Sequence, residues 1–231
     1  MIKSFILLFI CFTTLYAQNP RTKYSQLSDT IPQSSLSSSQ ADSIFNFIVS
    51  NKHLIDLDDC NICKSRAHII SRIIEKYFPA VIPAKVWLVA DCKRSSMTEY
   101  YKYKPAVLLQ SQGNCTNWAY HVAPVIITET DTIVIDPSTQ TKPVSLSKWA
   151  GDIIPNNGAG FLIIKNKQYY IYPQNKDGLF LDSVQNWNFN NNNATDDKYL
   201  RSVDETLQAK HRLYEPWKFN YYILELMKLL E

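Results

Sequence analysis

The chain has 231 residues, with 24 Lys and Arg against 21 Asp and Glu, and a formal net charge of +3 at pH 7. Both signs are mixed along the sequence, which gives no electrostatic case for nucleic acid or an anionic membrane as partner. Aromatic residues make up 13% and there are only five glycines, which argues against fibrous or disordered classes and for one well-packed domain with a full core.

Residues 1–17 read as an export signal: Lys3 supplies the positive start, Phe5 to Leu15 is apolar apart from Thr13 and Thr14, and Ala17 precedes Gln18. That run is too short to span a bilayer. The expectation is therefore a secreted or periplasmic protein with no stable membrane insertion. Residues 18–39 are rich in Ser, Gln, Thr and Pro and read as a flexible leader. Residues 40–231 read as a single catalytic domain.

Ala41 to Asn51 carries Ile44, Phe45, Phe47 and Ile48 at helical spacing. Asp56, Asp58, Asp59 and Asn61 form a turn-prone approach to the next helix, and any of the last three could cap it. That helix spans Cys63 to Phe78, with Ala67, Ile70, Ile74 and Tyr77 on one stripe, and Pro79 and Pro83 stop it. Lys85 to Ala90 and Ala106 to Gln110 are predicted strands joined by a polar connection over residues 91–105. Asn117 to Thr128 and Thr132 to Asp136 read as an antiparallel hairpin around Thr128-Glu129-Thr130-Asp131. Pro143 to Ala150 is a short helix or an exposed segment, and Gly160 to Tyr172 a strand pair turning at Asn166 and Lys167. Helices are predicted over Tyr199 to Leu213 and Trp217 to Leu230, the second sending Tyr221, Ile223, Leu224, Met227 and Leu230 to the core.

In an antiparallel pair the numbers of facing residues sum to a constant. A turn centred between Thr128 and Glu129 puts His121 opposite Asp136. A shift by one residue puts Asp136 opposite Ala123, diagonal to His121 on the same face. Either register leaves the two β-carbons about 5 to 8 Å apart, within reach of a carboxylate to imidazole hydrogen bond. Such a carboxylate fixes the tautomer of the imidazole and favours its protonated form. Cys63, in turn, stands where a helix starts, and the unpaired N–H groups and dipole there favour a thiolate, as does a nearby imidazolium.

After export four cysteines remain: Cys60, Cys63, Cys92 and Cys115. If Cys63 is a nucleophile it stays free, so at most one bridge is expected, and the sequence does not fix its pairing. Cys60-Asn61-Ile62-Cys63 is a CxxC without the context of a redox site and without a second metal-ligating pair, so no metal is expected. His68 is turned about 140° around the helix from Cys63 and is read as a structural histidine. Trp118 and Tyr120 either shape a substrate cleft or belong to the core.

The segments Cys63-Lys64-Ser65-Arg66-Ala67-His68, Trp118-Ala119-Tyr120-His121-Val122-Ala123 and Ile135-Asp136-Pro137-Ser138 resemble the three motifs of the bacterial protein-glutaminase family, in order and approximate spacing. Its members are secreted enzymes that deamidate glutamine side chains in intact proteins. The resemblance covers roughly residues 40–150. Asn61 and Ile62 stand where the family usually has a tight turn. The resemblance implies an α+β fold with a papain-like or transglutaminase-like core and a nucleophile-bearing helix packed on an antiparallel sheet; the predicted C-terminal helices are an extra part that departs from the family's pattern. It implies Cys63 as nucleophile, His121 as general base and acid, and Asp136 as its orienter. No cofactor is implied, and the partners are proteins or peptides bearing glutamine, acted on by a monomer. A cysteine peptidase, a transglutaminase-type acyl transferase and a non-catalytic secreted binding module are the alternatives.

Overall fold

The structure, a computed structural model, describes residues 22–24, 31–55, 62–90, 92–94, 103–105, 109–110, 116–118, 120–167 and 224–230. The export signal, the helix expected over Tyr199 to Leu213, and Cys60 and Cys115 lie outside them.

The elements in chain order are β1 (Thr22–Tyr24), α1 (Ser38–Ser50), α2 (Lys52–Ile55), α3 (Cys63–Tyr77), β2 (Pro83–Ala90), β3 (Cys92–Arg94), β4 (Tyr103–Pro105), β5 (Leu109–Gln110), β6 (Thr116–Trp118), β7 (Tyr120–Ile127), β8 (Thr132–Val134), β9 (Val144–Ser145), α4 (Leu146–Ile153) and β10 (Gly160–Asn166). Residues 224–230 are helical. Six strands form one sheet in the order β1-β10-β2-β7-β8-β9. Among the described strands of this sheet, only the β1 to β10 pairing is parallel. Helices against a largely antiparallel sheet make this an α+β fold.

Strand alternation separates two apolar clusters onto the two faces of this sheet. Ala84, Val86, Leu88, Ala123, Val125 and Val134 face α4 and its Trp149, Ala150 and Ile153. Ile126 and Ile135 face the other way, toward Ile44, Phe45 and Ile48 of α1 and Ile69, Ile70, Ile73 and Ile74 of α3. Every residue of β2 is buried, as a central strand covered on both faces must be. Gly160 opens β10 where a Cβ would come within 3.0 Å of Leu88 Cδ1 and 3.1 Å of Val89 O, so a larger residue there would have to push its neighbours aside.

Several expectations change. The stretch expected to be a flexible leader is built in where it is described: β1 joins the sheet edge, Ser34 N–H donates to Ile127 O at 2.8 Å, and the Ser34 hydroxyl accepts from Ile82 N–H. A Ser37 and Gln40 capping box, not anticipated from the sequence, starts α1 three residues before Ala41. The N-cap position of α3 is Ile62, which makes no side-chain capping hydrogen bond, and the capping candidates Asp58, Asp59 and Asn61 lie outside the described residues. The polar connection over 91–105 contains a strand pair, β3 with β4. Gly160 to Asn166 is one strand lying between β1 and β2, and a partner beyond Lys167 lies outside the described residues. In the C-terminal helix Leu226, Leu229 and Leu230 are buried while Leu224 and Met227 are exposed, the first at 54%. Its apolar stripe is therefore the i, i+3, i+4 set starting at Leu226.

Candidate active site

The hairpin of β7 and β8 takes the shifted register: Ile127 faces Thr132, Ile126 faces Ile133 and Val125 faces Val134. The same register continues through Ile135 N–H, which donates to Pro124 O at 3.0 Å. Asp136 thus falls opposite Ala123 and diagonal to His121. The two side chains meet nonetheless, His121 Nε2 lying 2.8 Å from Asp136 Oδ2, with both residues buried.

Asp136 is surrounded by donors. Besides the imidazole, Oδ2 accepts from Thr139 Oγ1 at 2.5 Å and from Trp149 Nε1 at 2.8 Å, and Oδ1 accepts from Ser138 Oγ at 2.6 Å. Thr139 and Gln140 N–H also donate to the backbone carbonyl of Asp136, closing a tight turn. Burial pushes the carboxyl up. The charge of His121 and the bonds from His121, Ser138 and Thr139 outweigh it and hold the group well below the usual carboxylate range.

Burial likewise pushes His121 down, but the Asp136 charge and hydrogen bond, followed by smaller contributions from Cys63, raise it to about 9. The ring is an imidazolium at neutral pH. Its Nδ1 has no partner of full hydrogen-bond geometry, and Cys63 is close enough to act on the ring both by charge and as a hydrogen-bonding group. Cys63 is the first residue of α3, buried and free. The carboxylate therefore takes Nε2 and leaves Nδ1 for the thiol, and thiol, imidazole and carboxylate form one contiguous set.

Trp118 stacks on the His121 ring at 4.6 Å between centroids and 13° between planes, and Trp149 lies beside it at 5.8 Å. Trp118 thus touches the imidazole itself, while Tyr120 is half-buried on β7. A flat aromatic face on an imidazolium is an attractive contact. His68 stays away from this group: its Nδ1 lies 2.6 Å from the buried Lys85 Nζ. Burial first, then the charges of Lys85 and Arg72, lower it to about 3. Among the described residues no group of three or more His, Cys, Asp and Glu could hold a metal ion.

Ser138, Thr139 and Trp149 were not among the residues singled out by sequence. The run Asp136-Pro137-Ser138-Thr139 carried a signal, since hydroxyls two and three residues after an aspartate in a proline turn fold back onto its carboxylate. For Trp149 the signal was the stripe Leu146, Trp149, Ala150, Ile153, which marks an inward helix face.

Such a site defines an α+β protein with a buried Cys, His and Asp arrangement suited to nucleophilic catalysis. Residues 39–153 match the model of a family described as Glutaminase, in line with the resemblance of the three motifs to the protein-glutaminase family. Similar solved structures include a mutant of a pro-protein-glutaminase, 14% identical, covering 79% of this chain and 60% of that one with a TM-score of 0.48. Others are a protein-glutaminase crystal structure, 17% identical over 67% of this chain and 86% of that one, TM-score 0.39, and the NMR structure of protein-glutaminase from Chryseobacterium proteolyticum, 17% identical over 70% and 84%, TM-score 0.41. The chain thus spans 60% of the length of the pro-protein-glutaminase it matches. No curated protein matches it.

Proposed function

We propose that the protein is an exported cysteine amidohydrolase that converts glutamine side chains of proteins to glutamate and ammonia. The observation that carries this reading is the contiguity of Cys63, His121 and Asp136, with the imidazole bonded to the carboxylate at 2.8 Å. The Cys63 thiolate attacks the side-chain amide carbon, and the oxyanion is held by backbone donors, among them the Cys63 N–H at the start of α3. The imidazolium gives the Nδ1 proton to the departing amide nitrogen, which leaves as ammonia, and a thioester remains. Water, its proton taken by the same imidazole, then attacks the thioester carbon; glutamate leaves and the thiol is restored. Asp136 holds the ring orientation throughout.

Incubation with a glutamine-containing protein tests the reading: ammonia and a gain of about one dalton per site are expected, and both vanish in Cys63→Ala. Peptide cleavage without ammonia would indicate a peptidase, and cross-linking to amines a transglutaminase. Either outcome sinks deamidation.

A further inference from the structure

The Asp136 carboxylate is held by two kinds of donor. Ser138 and Thr139 reach it from two and three residues away, inside the turn that Asp136 itself begins. They move with the carboxylate and cannot fix its position relative to the rest of the molecule. Trp149 comes from α4, thirteen residues on, and its side chain is fully buried. Apart from His121, it is the donor among those described that ties this turn to a separate element. The same indole flanks the His121 ring at 5.8 Å.

From this geometry we infer that Trp149 is the positioning residue of the His121 and Asp136 pair, its N–H tethering the carboxylate to α4 and its ring confining the imidazole. The inference deepens the catalytic reading above and rests on it. The helix α4 makes a firm anchor, because Ser145 caps it, accepting from Lys148 N–H, and Leu146, Ala150 and Ile153 share the buried face with Trp149. The tether therefore transmits the rigidity of a packed helix to a turn that follows the end of β8. A merely structural indole would use the carboxylate only as a convenient acceptor, and its loss would cost stability without moving the titration of His121. Among the described residues, the titratable groups that act on His121 are Asp136 and Cys63, so a change in its titration reports on how these two are held.

Trp149→Phe in the full chain keeps a ring at the site and removes the N–H. Titration of His121 by NMR should then show a midpoint lowered by about half a pH unit or more, a roughly threefold change in its proton affinity, because a loosened carboxylate stabilises the imidazolium less. The kcat for ammonia release should fall about tenfold with KM unchanged, since misplacement at the reacting group weakens the transition state rather than substrate binding. A midpoint that stays or rises, with kcat within about twofold of the unaltered protein, overturns the inference. If the variant does not fold, the unaltered protein decides: the Trp149 indole N–H resonance should shift through the His121 midpoint, and a resonance indifferent to that titration overturns the tether. Neither NMR measurement needs substrate. A protein that releases no ammonia would thus end the deamidase reading and leave the tether separately testable.

Discussion

His121 sets the pH behaviour expected at the residue scale. Its folded value is about 9 against 6.5 for a free histidine, so between these values the folded chain holds a proton that the unfolded chain has released. The stabilisation is fully present below pH 6.5 and is lost as pH rises through about 9; its size is on the order of 3 kcal/mol. In the proposed mechanism the same proton serves the leaving group, so ammonia release should fall above pH 9 along a one-proton limb. Asp136→Asn removes the main charge that raises the imidazole and should move this limb down by about two pH units while lowering kcat, as read from the pH dependence of ammonia release. A limb that stays near pH 9 in this variant would mean that another group is being titrated. The pairing of His121 with Asp136 was legible in the sequence, because a two-stranded hairpin brings its facing residues together in either register, whereas the docking of Cys63 against them had no local signal and was implied only by the resemblance. The donors on Asp136 were less so: a turn hydroxyl finds its acceptor through backbone conformation, and the Trp149 bond depends on how α4 docks.

At the scale of the element, α3 carries two histidine-related environments with opposite pH signs. Cys63 at its start faces an imidazolium, whereas His68, just over one turn on, is kept neutral beside Lys85. Lys85 lies in the middle of β2, fully buried, and burial lowers it well below its ordinary value of 10.5. A lysine whose folded value is depressed binds fewer protons than in the unfolded chain, so stability rises with pH until the unfolded value is passed near 10.5. His68 acts in the same sense at lower pH, losing stability for the fold as pH drops from 6.5 toward 3. Replacing Lys85 with Met removes the lysine contribution. Relative to the unaltered protein, Lys85→Met should be at its most favourable in acid and lose that advantage steadily as pH approaches 10.5, measured by urea unfolding at several pH values. A stability difference independent of pH would show that Lys85 is charged in the fold. The helix and the strand were each readable from apolar periodicity, but their pairing through His68 and Lys85 was not, since a lysine inside an apolar run gives no sign of what shields it.

Across the whole molecule, the central hairpin followed from strand patterning and the α+β class was implied by the resemblance, while long-range closure followed from neither. The chain closes on itself at both ends of the described structure: β1 lies parallel to β10 at the sheet edge, and the helix over 224–230 returns to the cluster around α3. Parallel pairing between strands so far apart leaves no local signature, because no turn joins them. The C-terminal helix did show apolar residues, and the error lay in which stripe they form. Leu224 and Met227 share one face with water, whereas Leu226, Leu229 and Leu230 pack with Ile70, Ile73 and Ile74. Lys76 of α3 adds a polar clasp, donating from Nζ to the backbone carbonyls of Lys228 at 3.1 Å and Leu229 at 3.3 Å, groups left without intrahelical partners at a helix C-terminus. This helix thus covers the back of the element whose front end holds Cys63. Leu226→Ala removes a fully buried side chain and should cost about 2 to 5 kcal/mol in urea unfolding. Leu224→Ala, at a half-exposed position two residues earlier, should stay within about 0.5 kcal/mol. At temperatures where both variants remain folded, their ammonia release should match the unaltered protein, because neither residue touches the Cys63, His121 and Asp136 set. Equal costs at the two positions would mean that the helix docks through the other stripe, and a selective loss of kcat in folded Leu226→Ala would mean that this packing also fixes the start of α3.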